Sequence, residues 1–482
     1  MLAVGNNYQY NGLPPSLVDN EMALAIERWK KLYYNDVPWR GKNRLSLGLA
    51  ATIANEVATM VSVEAKIIVT DHEGNEADDE VGDGELNPRA KLINESLQDV
   101  RKQLAVQTEY ACALGGLMFK PYTDGKNIRI DYIKACDFYP TQIDPRGEII
   151  GAVFFESKTV GEKHYIRVEE HSYDGSTRSC IIRNRAFQSY KGGNEFGNEI
   201  PLTLVEDWAH LEPETVVNNL DAPLFSYFKI PQGNVENMNS DLGVSVYARA
   251  DKDGLIEEAD KQFQRYMWEY EGGQMAVHAS TDAFKREDGK AKLPDGHERL
   301  FVLNDLDTTN TAAKEGLFST FAPTLRDSSY CDGLREVLIK IENNCHLARG
   351  TLADVDGEAR TATEIKMKRQ ASYQLVSSIQ EALQNALDGL VKAVDSLATL
   401  YDLVPAGDFY VSYIWDDSIV VDAEAERQRD MQEVRDGLMQ KWEYRKKWYG
   451  ESEAKAKQMT QQSTGLSDDE LMGFRRPNQP EA

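Results

Sequence analysis

Apolar residues recur at helical spacing before residue 115 and predict three amphipathic helices, over residues 17–35, 46–61 and 88–114. Asp19 or Asn20 can cap the first helix, and the Gly115-Gly116 pair is a normal stop for the third. An apolar run at 65–70 predicts a strand. Residues 71–85 hold eight acidic side chains and no basic one, which predicts a solvated loop.

The pattern changes after residue 115. Short runs of β-branched and aromatic residues alternate with turn clusters up to about residue 205, which is typical of antiparallel β structure. The predicted strands include residues 128–133, 149–156, 164–171 and 179–184. Residues 210–240 carry three prolines and are predicted to be a loop.

Helical spacing returns at residues 243–271 and predicts one long helix, in which Gly254 costs about 1 kcal/mol relative to Ala. Residues 274–320 are predicted to be a small mixed unit with β tendency. A second helix is predicted over 327–349, with Asp327 or Ser328 as its cap and Gly350 at its end.

A very long helix follows the polar residues 351–360. Thr361 and Glu364 have the spacing of a capping box, and the helix runs for about 40 residues to Leu403. Its length indicates a spine or an assembly surface, and its continuous apolar stripe consists of Leu375, Ile379, Leu383, Leu387, Leu390, Val394, Leu397 and Tyr401.

The C-terminal part begins with a predicted strand at 409–415. A charged helical section is predicted from Asp422 to about residue 462, with Met431, Val434, Leu438 and Trp442 on one face. The last twenty residues are polar, and we predict that they are disordered.

Charge and cysteine content limit the possible functions. The 482 residues include 54 basic and 79 acidic side chains, a net charge of −25. This excludes a protein that grips nucleic acid over its whole surface, but not one that surrounds DNA without holding it. Five dispersed cysteines without a Cys-x-x-Cys pair predict neither a disulfide framework nor a zinc site. No signal peptide and no membrane-spanning segment are expected.

Catalytic signatures are missing from the sequence. A phosphate-binding loop and a dinucleotide fingerprint do not occur, and Tyr247 stands where a nucleophile elbow at Ser245 needs glycine. His164 and His171 are predicted to be exposed strand residues. Acidic pairs such as Asp78-Asp79 and Asp416-Asp417 could bind a metal, although solvated surface is the simpler interpretation. We therefore predict no catalytic, metal-binding or cofactor-binding residue, and no cofactor.

Aromatic side chains of the 243–271 helix could act as stacking platforms for bases. Their helical spacing favours packing instead. The residues concerned are Phe263, Tyr266, Trp268 and Tyr270.

The order of these elements resembles the portal proteins of long-tailed phages, particularly those that infect Gram-positive bacteria. One departure is Gln440, where that family would have a small Ser. The resemblance extends over roughly residues 20–460 and rests on segments with shared order, namely Trp29-x-x-x-Tyr33, Gly115-Gly-Leu-Met-Phe-Lys120, Gly243-Val-Ser-Val-Tyr-Ala248, Glu269-Tyr-Glu-Gly-Gly273, Leu334 to Arg349, Thr361-Ala-Thr-Glu-Ile365, Tyr413-Ile-Trp-Asp-Asp-Ser418 and Val434-Arg-Asp-Gly-Leu-Met439.

The resemblance implies an α+β portal fold with a mixed α/β wing, two long stem helices, a small clip insert, a tunnel loop with a very long helix, and a helical C-terminal crown. The implied boundaries are wing 1–242, stem helix 243–272, clip 273–325, stem helix 326–350, tunnel loop 351–361, long helix and strand returning to the wing 362–421, crown 422–465 and disordered tail 466–482.

It also implies a homo-oligomeric ring, a dodecamer, at one capsid vertex of the virion, assembled in the host cytoplasm. Double-stranded DNA would pass through it during packaging, retention and ejection, without sequence specificity. The expected partners are the terminase large subunit and the head-completion adaptor, which dock on the clip, and the major capsid and scaffold proteins, which meet the wing. No membrane partner is expected.

The tunnel loop would face the DNA, although an ordinary connector between helices explains the same residues. Its DNA-facing residues would be Thr351, Leu352, Asp354, Asp356, Gly357, Glu358 and Arg360. Nearby cations could touch DNA or form a solvated helix face, and these are Arg349, Lys366, Lys368 and Arg369. Two other functions fit the sequence: a metal-dependent nuclease, and a helical scaffold or adaptor protein of the virion.

Overall fold

The computed structural model describes residues 13–41, 45–63, 65–72, 86–190, 195–280, 286–287, 290–291, 300–304, 318–353, 362–415, 423–449, 451 and 453–462. The helices in this part of the chain are α1 (Asn20–Tyr33), α2 (Leu49–Ser62), α3 (Pro88–Leu114), α4 (Ala248–Lys252), α5 (Leu255–Gly272), α6 (Asp327–Asn344), α7 (Ala362–Leu400), α8 (Ala423–Arg435), α9 (Lys441–Tyr449) and α10 (Glu453–Gln462).

The strands of the same residues are β1 (Ala65–Thr70), β2 (Gly116–Thr123), β3 (Ile128–Lys134), β4 (Phe138–Ile143), β5 (Ile149–Val160), β6 (Lys163–Asp174), β7 (Ser179–Tyr190), β8 (Glu195–Ile200), β9 (Glu214–Asn218), β10 (Ser226–Lys229), β11 (Ala276–Ser280), β12 (Arg286–Glu287), β13 (Lys290–Ala291), β14 (Phe301–Asn304), β15 (Phe318–Phe321) and β16 (Tyr410–Trp415).

Local signals place the ends of the N-terminal helices. Asp19 caps α1 by accepting a hydrogen bond from the amide of Met22 at 2.8 Å, and Asn87 caps α3 through the amide of Ala90 at 2.9 Å. Gly115 ends α3 at φ +89°, a conformation that costs glycine little. Because these signals are local, the sequence predicts β1 and α3 with the observed bounds.

The main core lies between the N-terminal helices and α7. Residues Leu375 to Leu397 of the α7 stripe are buried there, whereas Tyr401 is exposed and lies beyond the end of the helix. A sheet in the order β10-β2-β3 covers the same core. The predicted stripe is therefore confirmed except at its last residue.

The antiparallel β region is also confirmed. Strands β4 to β8 form a six-stranded sheet in sequence order together with β9, which pairs with β7. The loop predicted at 210–240 is wrong in part because it contains β9 and β10. Both are short, and they are strands because they add to β7 and β2, which lie far from them in sequence.

The prediction of one helix over 243–271 is wrong at its start, and the helix is divided into two. Residues 243–247 are not helical, and α4 begins at Ala248. Gly254, at φ +71°, then separates α4 from α5, so it is a break and not a costly interior residue. The helix predicted over 327–349 ends at Asn344, before Gly350. Arg326 is its N-cap and no side chain caps it, contrary to the prediction for Asp327 or Ser328.

The remaining predictions have mixed outcomes. Strand β11 pairs with β14 and β15, which confirms β structure in 274–320. The single helical section predicted from Asp422 is instead three helices. Gly437, at φ +76°, follows α8, and Leu438 is 80% exposed and leaves the face of Met431 and Val434. Residues 73–85, Thr361 and the tail 466–482 lie outside the described residues. None of the helices in the described ranges is long and apolar enough to cross a membrane.

Candidate functional site

Helices α5 and α6 form an antiparallel pair, which we call the hairpin. At one end, the amide and Nε of Arg326 donate to Oε1 of Glu269 at 3.1 Å, and Nη2 donates to Oε2 at 2.8 Å. The hydrogen bonds from Arg326 lower the pKa of Glu269 from its ordinary value. At the other end, the Asn344 amide group donates to Asp253 at 2.8 Å. Both ends of the hairpin are thus fixed by polar contacts.

Asp260 attaches the base of the hairpin to the N-terminal part of the chain. Its buried carboxylate accepts from the indole of Trp39 at 3.0 Å, the hydroxyl of Ser46 at 2.8 Å and the amide of Leu47 at 2.8 Å. Beyond this point the hairpin has little cover. Among residues 261–272 and 327–340, Glu269 is the one buried residue. Two helices of 18 residues each therefore leave most of their surface outside the core.

The outward face of α5 carries an apolar groove of about 450 Å³. Trp268 is 63% exposed within it, and Leu45 is 57% exposed. We call it the Trp268 groove, and it is lined by Leu45, Lys261, Gln264, Arg265, Met267, Trp268 and Glu271. The prediction that the aromatic residues of this helix are packed is thus wrong for Trp268 in the single chain.

Glu342, on α6, organises the segment that follows the hairpin. Its side chain is fully buried, and its Oε1 accepts from the amides of Gly350 at 3.1 Å, Leu352 at 2.7 Å and Ala353 at 3.0 Å. A buried carboxylate needs such partners, and three backbone donors supply them to Oε1, whereas Oε2 is buried without a hydrogen-bond partner among the described residues. The chain between Gly350 and Ala353 is therefore fixed to the end of α6.

A second contact ties α7 to the same place. His346 has φ +55° and turns the chain after α6, and its carbonyl accepts from the hydroxyl of Ser372 at 3.2 Å. Because Ser372 lies on α7, the chain before and after residues 354–361 is held beside the end of α6. Residues 350–353 and Ser372 are therefore both held beside the end of α6.

The structure describes only part of the DNA-facing set predicted from the sequence. Thr351 is exposed and its hydroxyl donates to the carbonyl of Ala348 at 2.6 Å, Leu352 is half-buried, and Arg349 is exposed. These residues lie together. Nothing is described for the side chains of Lys366, Lys368 and Arg369 in the first part of α7, and outside the described residues lie Asp354, Asp356, Gly357, Glu358 and Arg360.

Sequence reasoning missed Glu342. The signal was present, since Glu342 lies four residues after Leu338 and three before Cys345, on the apolar stripe of α6. An acidic residue at such a position must find polar partners inside the protein.

Candidate nucleophiles and ligands have structural roles in the described ranges. Ser245 is fully buried, and its hydroxyl donates to the carbonyl of Cys112 at 3.2 Å. The exposure predicted for His171 is wrong, because its ring is buried with Nε2 2.7 Å from Oε1 of Glu169. Across the residues described, no three metal-ligating side chains come together. The pairs Asp78-Asp79 and Asp416-Asp417 lie outside those residues.

Residues 19–465 match the family described as "Phage portal protein, SPP1 Gp6-like". The chain belongs to this family. Portal proteins of this family are structural, so the chain is a portal protein of a phage particle, with a connector function, and it is not an enzyme. The α+β fold agrees with this membership, and the nuclease alternative is rejected.

Solved structures also match the portal protein. One is titled "Neck of native GTA particle computed with C12 symmetry"; it is 11% identical, with a TM-score of 0.37, and the match covers 90% of this chain and 95% of that chain. Because this similarity is weak, no property of that particle is assigned to this chain. No curated protein matches the chain.

Proposed function

We propose that twelve copies of this portal protein form a ring at one capsid vertex, through which double-stranded DNA is packaged, retained and ejected. The ring is inferred from the hairpin, most of which the rest of the chain leaves uncovered. Its Trp268 groove leaves apolar surface exposed, and identical copies that pack head to tail around an axis would bury it and close the assembly.

The parts of the portal protein would be used as follows. The hairpin is the stem, and its wall begins at Ala248 because the preceding residues are not helical. The other proposed parts are the wing 1–242 with 362–421, the clip 273–325, the tunnel loop 351–361 and the crown 422–465. Segment order further supports a portal of a long-tailed phage with a Gram-positive host.

Residues 351–361 would line the narrowest part of the DNA path. The contacts of Glu342 with Leu352 and of Ser372 with His346 support this role, because they hold the chain before and after residues 354–361 beside the end of α6. The proposed DNA-facing residues are Thr351, Leu352, Asp354, Asp356, Gly357, Glu358 and Arg360, with Arg349, Lys366, Lys368 and Arg369 as nearby cations. Contacts there would be independent of sequence, since every base pair must pass.

Electrostatics supports a channel that repels DNA over most of its length. Each copy carries a net charge of −25, so a ring of copies is strongly acidic and phosphate is held off its walls. The terminase large subunit and later the head-completion adaptor would dock on the clip. Major capsid and scaffold proteins would meet the wing during assembly in the host cytoplasm.

Electron microscopy of the purified full-length chain tests the ring. Twelve-fold rings with a central hole are expected, and a chain that stays monomeric at high concentration rejects the proposal. Deletion of residues 354–358 then tests the tunnel loop. The deletion spares Leu352, whose amide is bound to Glu342. Rings should form normally while packaged, nuclease-protected DNA falls, and normal packaging by intact rings would refute the assignment of the loop.

A further inference from the structure

Each helix of the hairpin carries a row of charged side chains on its surface. Within a row the charges are four residues apart, so they share one face of the helix. We call these sets the α5 row and the α6 row, and they consist of Glu257, Lys261 and Arg265 on α5 and of Asp332, Glu336 and Lys340 on α6.

Both rows lie on faces that their own chain leaves uncovered. On α5, Lys261 and Arg265 line the Trp268 groove, to which no described residue of α6 contributes. On α6, the helical repeat places the row opposite Leu334 and Leu338, which pack against the core. All three residues of the α6 row are exposed. The two rows are therefore available to other copies of the chain.

The rows differ in how far their charges are paired within one chain. Nζ of Lys261 lies 2.6 Å from Oε1 of Glu257, and Nη1 of Arg265 lies 3.3 Å from Oε1 of Glu258. These are half-exposed pairs within one helix, which contribute little and leave the two cations donors for further acceptors. Among the described residues, no charge of the α6 row forms an ion pair. The α6 row thus offers charges that its own chain does not use.

Two contacts determine the relative heights of the rows along the hairpin. Arg326 is level with Glu269 at one end, and Asn344 is level with Asp253 at the other. Interpolation between these contacts, at about 1.5 Å per residue, places each charge of the α6 row within about 2 Å of the height of a charge of the α5 row. The level charges are opposite in sign, and they are Asp332 with Arg265, Glu336 with Lys261, and Lys340 with Glu257.

Cyclic symmetry turns equal height into contact. Rotation about a ring axis moves a copy around the axis and not along it. Where the hairpin runs along the axis, the α6 row of one copy therefore meets the α5 row of the next copy without a shift in height. The opposite signs of the level charges then make the two faces complementary.

We propose that the α6 row of each copy lies against the Trp268 groove of the next copy and pairs with its α5 row, charge by charge. This inference rests on the proposed function and names the surface that fills the groove. Ser328 and Ser329 are small, exposed and level with Trp268, so the same face of α6 leaves room for the indole. The apolar groove would supply most of the free energy of the contact, and the charges would set its register and direction.

Charge reversal in the full-length chain tests this contact. The first variant carries Lys261→Glu with Arg265→Glu, and the second carries Asp332→Lys with Glu336→Lys. Either variant alone places like charges against each other at every contact, so the subunit concentration needed for rings should rise at least about tenfold. Loss of one charge, as in Glu336→Ala, should leave ring formation nearly unchanged, because a single exposed pair contributes little. Light scattering after size-exclusion chromatography measures ring formation.

An equimolar mixture of the two variants is the decisive sample. The acidic α5 row of the first variant then meets the basic α6 row of the second. The unaltered rows of the two variants also remain complementary to each other. Rings should therefore return with the variants alternating, and native mass spectrometry should find equal numbers of each. Because the mixed chains carry the same substitutions as the separate samples, a fault in folding would not be repaired by mixing.

A matched control makes the same change of charge elsewhere. Lys126→Glu with Lys163→Glu alters two exposed lysines in turns outside the hairpin and should leave ring formation unchanged. Normal rings of both reversed variants, or no return of rings on mixing, would overturn the proposed contact while the ring itself stands. Absence of rings in the unaltered protein would instead reject the proposed function, and the contact with it.

Discussion

The amide of Leu352 donates a hydrogen bond to Oε1 of Glu342 at 2.7 Å, across a separation of ten residues. The same oxygen accepts from the amides of Gly350 and Ala353, and the carboxylate is fully buried. A residue of α6 therefore holds residues 350–353, where the proposed tunnel loop begins. In the proposed channel, the position of the loop would be coupled to the hairpin.

Glu342→Ala removes the acceptor of three backbone amides, of which that of Ala353 is buried. We expect a loss of about 3 kcal/mol in the free energy of unfolding, because buried donors without partners are costly. Thermal unfolding followed by circular dichroism measures the change. Glu342→Gln keeps the oxygen that accepts all three bonds and should cost less. Glu336→Ala, an exposed acid on the same helix, is the control and should change Tm little.

The functional part of this prediction concerns packaging. Rings of Glu342→Ala should still form, since Glu342 faces the interior of its own chain, but nuclease-protected DNA in assembled heads should fall. Packaging equal to that of Glu336→Ala, together with a lowered Tm, would show that Glu342 serves stability alone.

Sequence signals predicted those elements whose ends are set locally. The bounds of α3 follow from Asn87 and Gly115, and the long α7 follows from its stripe. The start of the hairpin was not predictable from neighbouring residues. Residues 243–247 are not helical because their backbone amides bind other segments. The amide of Val246 donates to the carbonyl of Cys112 at 2.9 Å, and the amide of Gly243 donates to the hydroxyl of Tyr227. Contacts between distant segments override helical spacing there.

The candidate site shows the same limit. The polar residues between two apolar stripes predict a loop at 351–360, of which the structure describes residues 351–353, but this pattern does not predict that the loop is anchored to Glu342. The apolar stripe of α6 indicates that Glu342 is buried, but only the fold shows that its partners are the amides of Gly350, Leu352 and Ala353. His171 is buried for a comparable reason, since β10 and its flanks bring Phe225 against the sheet.

Gly243→Ala should prevent normal folding of the segment that leads into α4. A Cβ at Gly243 would lie 2.0 Å from the carbonyl oxygen of Gly115, and backbone cannot move aside cheaply. We expect insoluble protein or a Tm lowered by many degrees, measured by scanning fluorimetry. Gly333→Ala provides the contrast. Its Cβ would meet open space in the interior of α6, so stability should rise by about 0.5–1 kcal/mol. Equal behaviour of the two variants would contradict the close approach.

Lys120→Met should destabilise the contact between β2 and β6. Lys120 is nearly buried and its Nζ lies 2.7 Å from Oε2 of Glu169, which also contacts Arg167 and His171. Breaking a buried pair on one side costs about 3–5 kcal/mol when the remaining charge has no other partner. Because Arg167 and His171 still contact Glu169, we expect a loss at or below the lower end of that range. Calorimetry at pH 7 measures the loss. Lys126→Met, at an exposed turn, should have almost no effect.

The pH dependence of this pair has a definite sign. Burial raises the pKa of Glu169, but Lys120, His171 and Arg167 outweigh burial and hold the pKa well below its ordinary value of 4.5. A carboxyl group with a lowered pKa stabilises the fold above its unfolded pKa, and this contribution is lost as pH falls toward the folded pKa. The fall in Tm between pH 6 and pH 3 should therefore be smaller in Lys120→Met than in the unaltered protein. Parallel Tm curves would contradict the coupling.

Trp268→Ala separates assembly from folding. The indole is 63% exposed in the single chain, so its loss removes little buried surface and should change Tm of dissociated subunits by only a few degrees. In the proposed ring, the Trp268 groove is filled by the next copy, and a large aromatic side chain at the centre of such a contact dominates its free energy. The subunit concentration needed for rings should therefore rise at least about tenfold, which corresponds to 1.4 kcal/mol per contact. Light scattering after size-exclusion chromatography over a range of concentrations measures this.

Leu204→Ala is matched in exposure, since Leu204 is also 63% exposed, but it lies in a short helical turn before Val205 and away from the hairpin. Rings of Leu204→Ala should form as in the unaltered protein. If both variants assemble equally well, the groove does not face a neighbouring copy, and the hairpin must be covered in some other way.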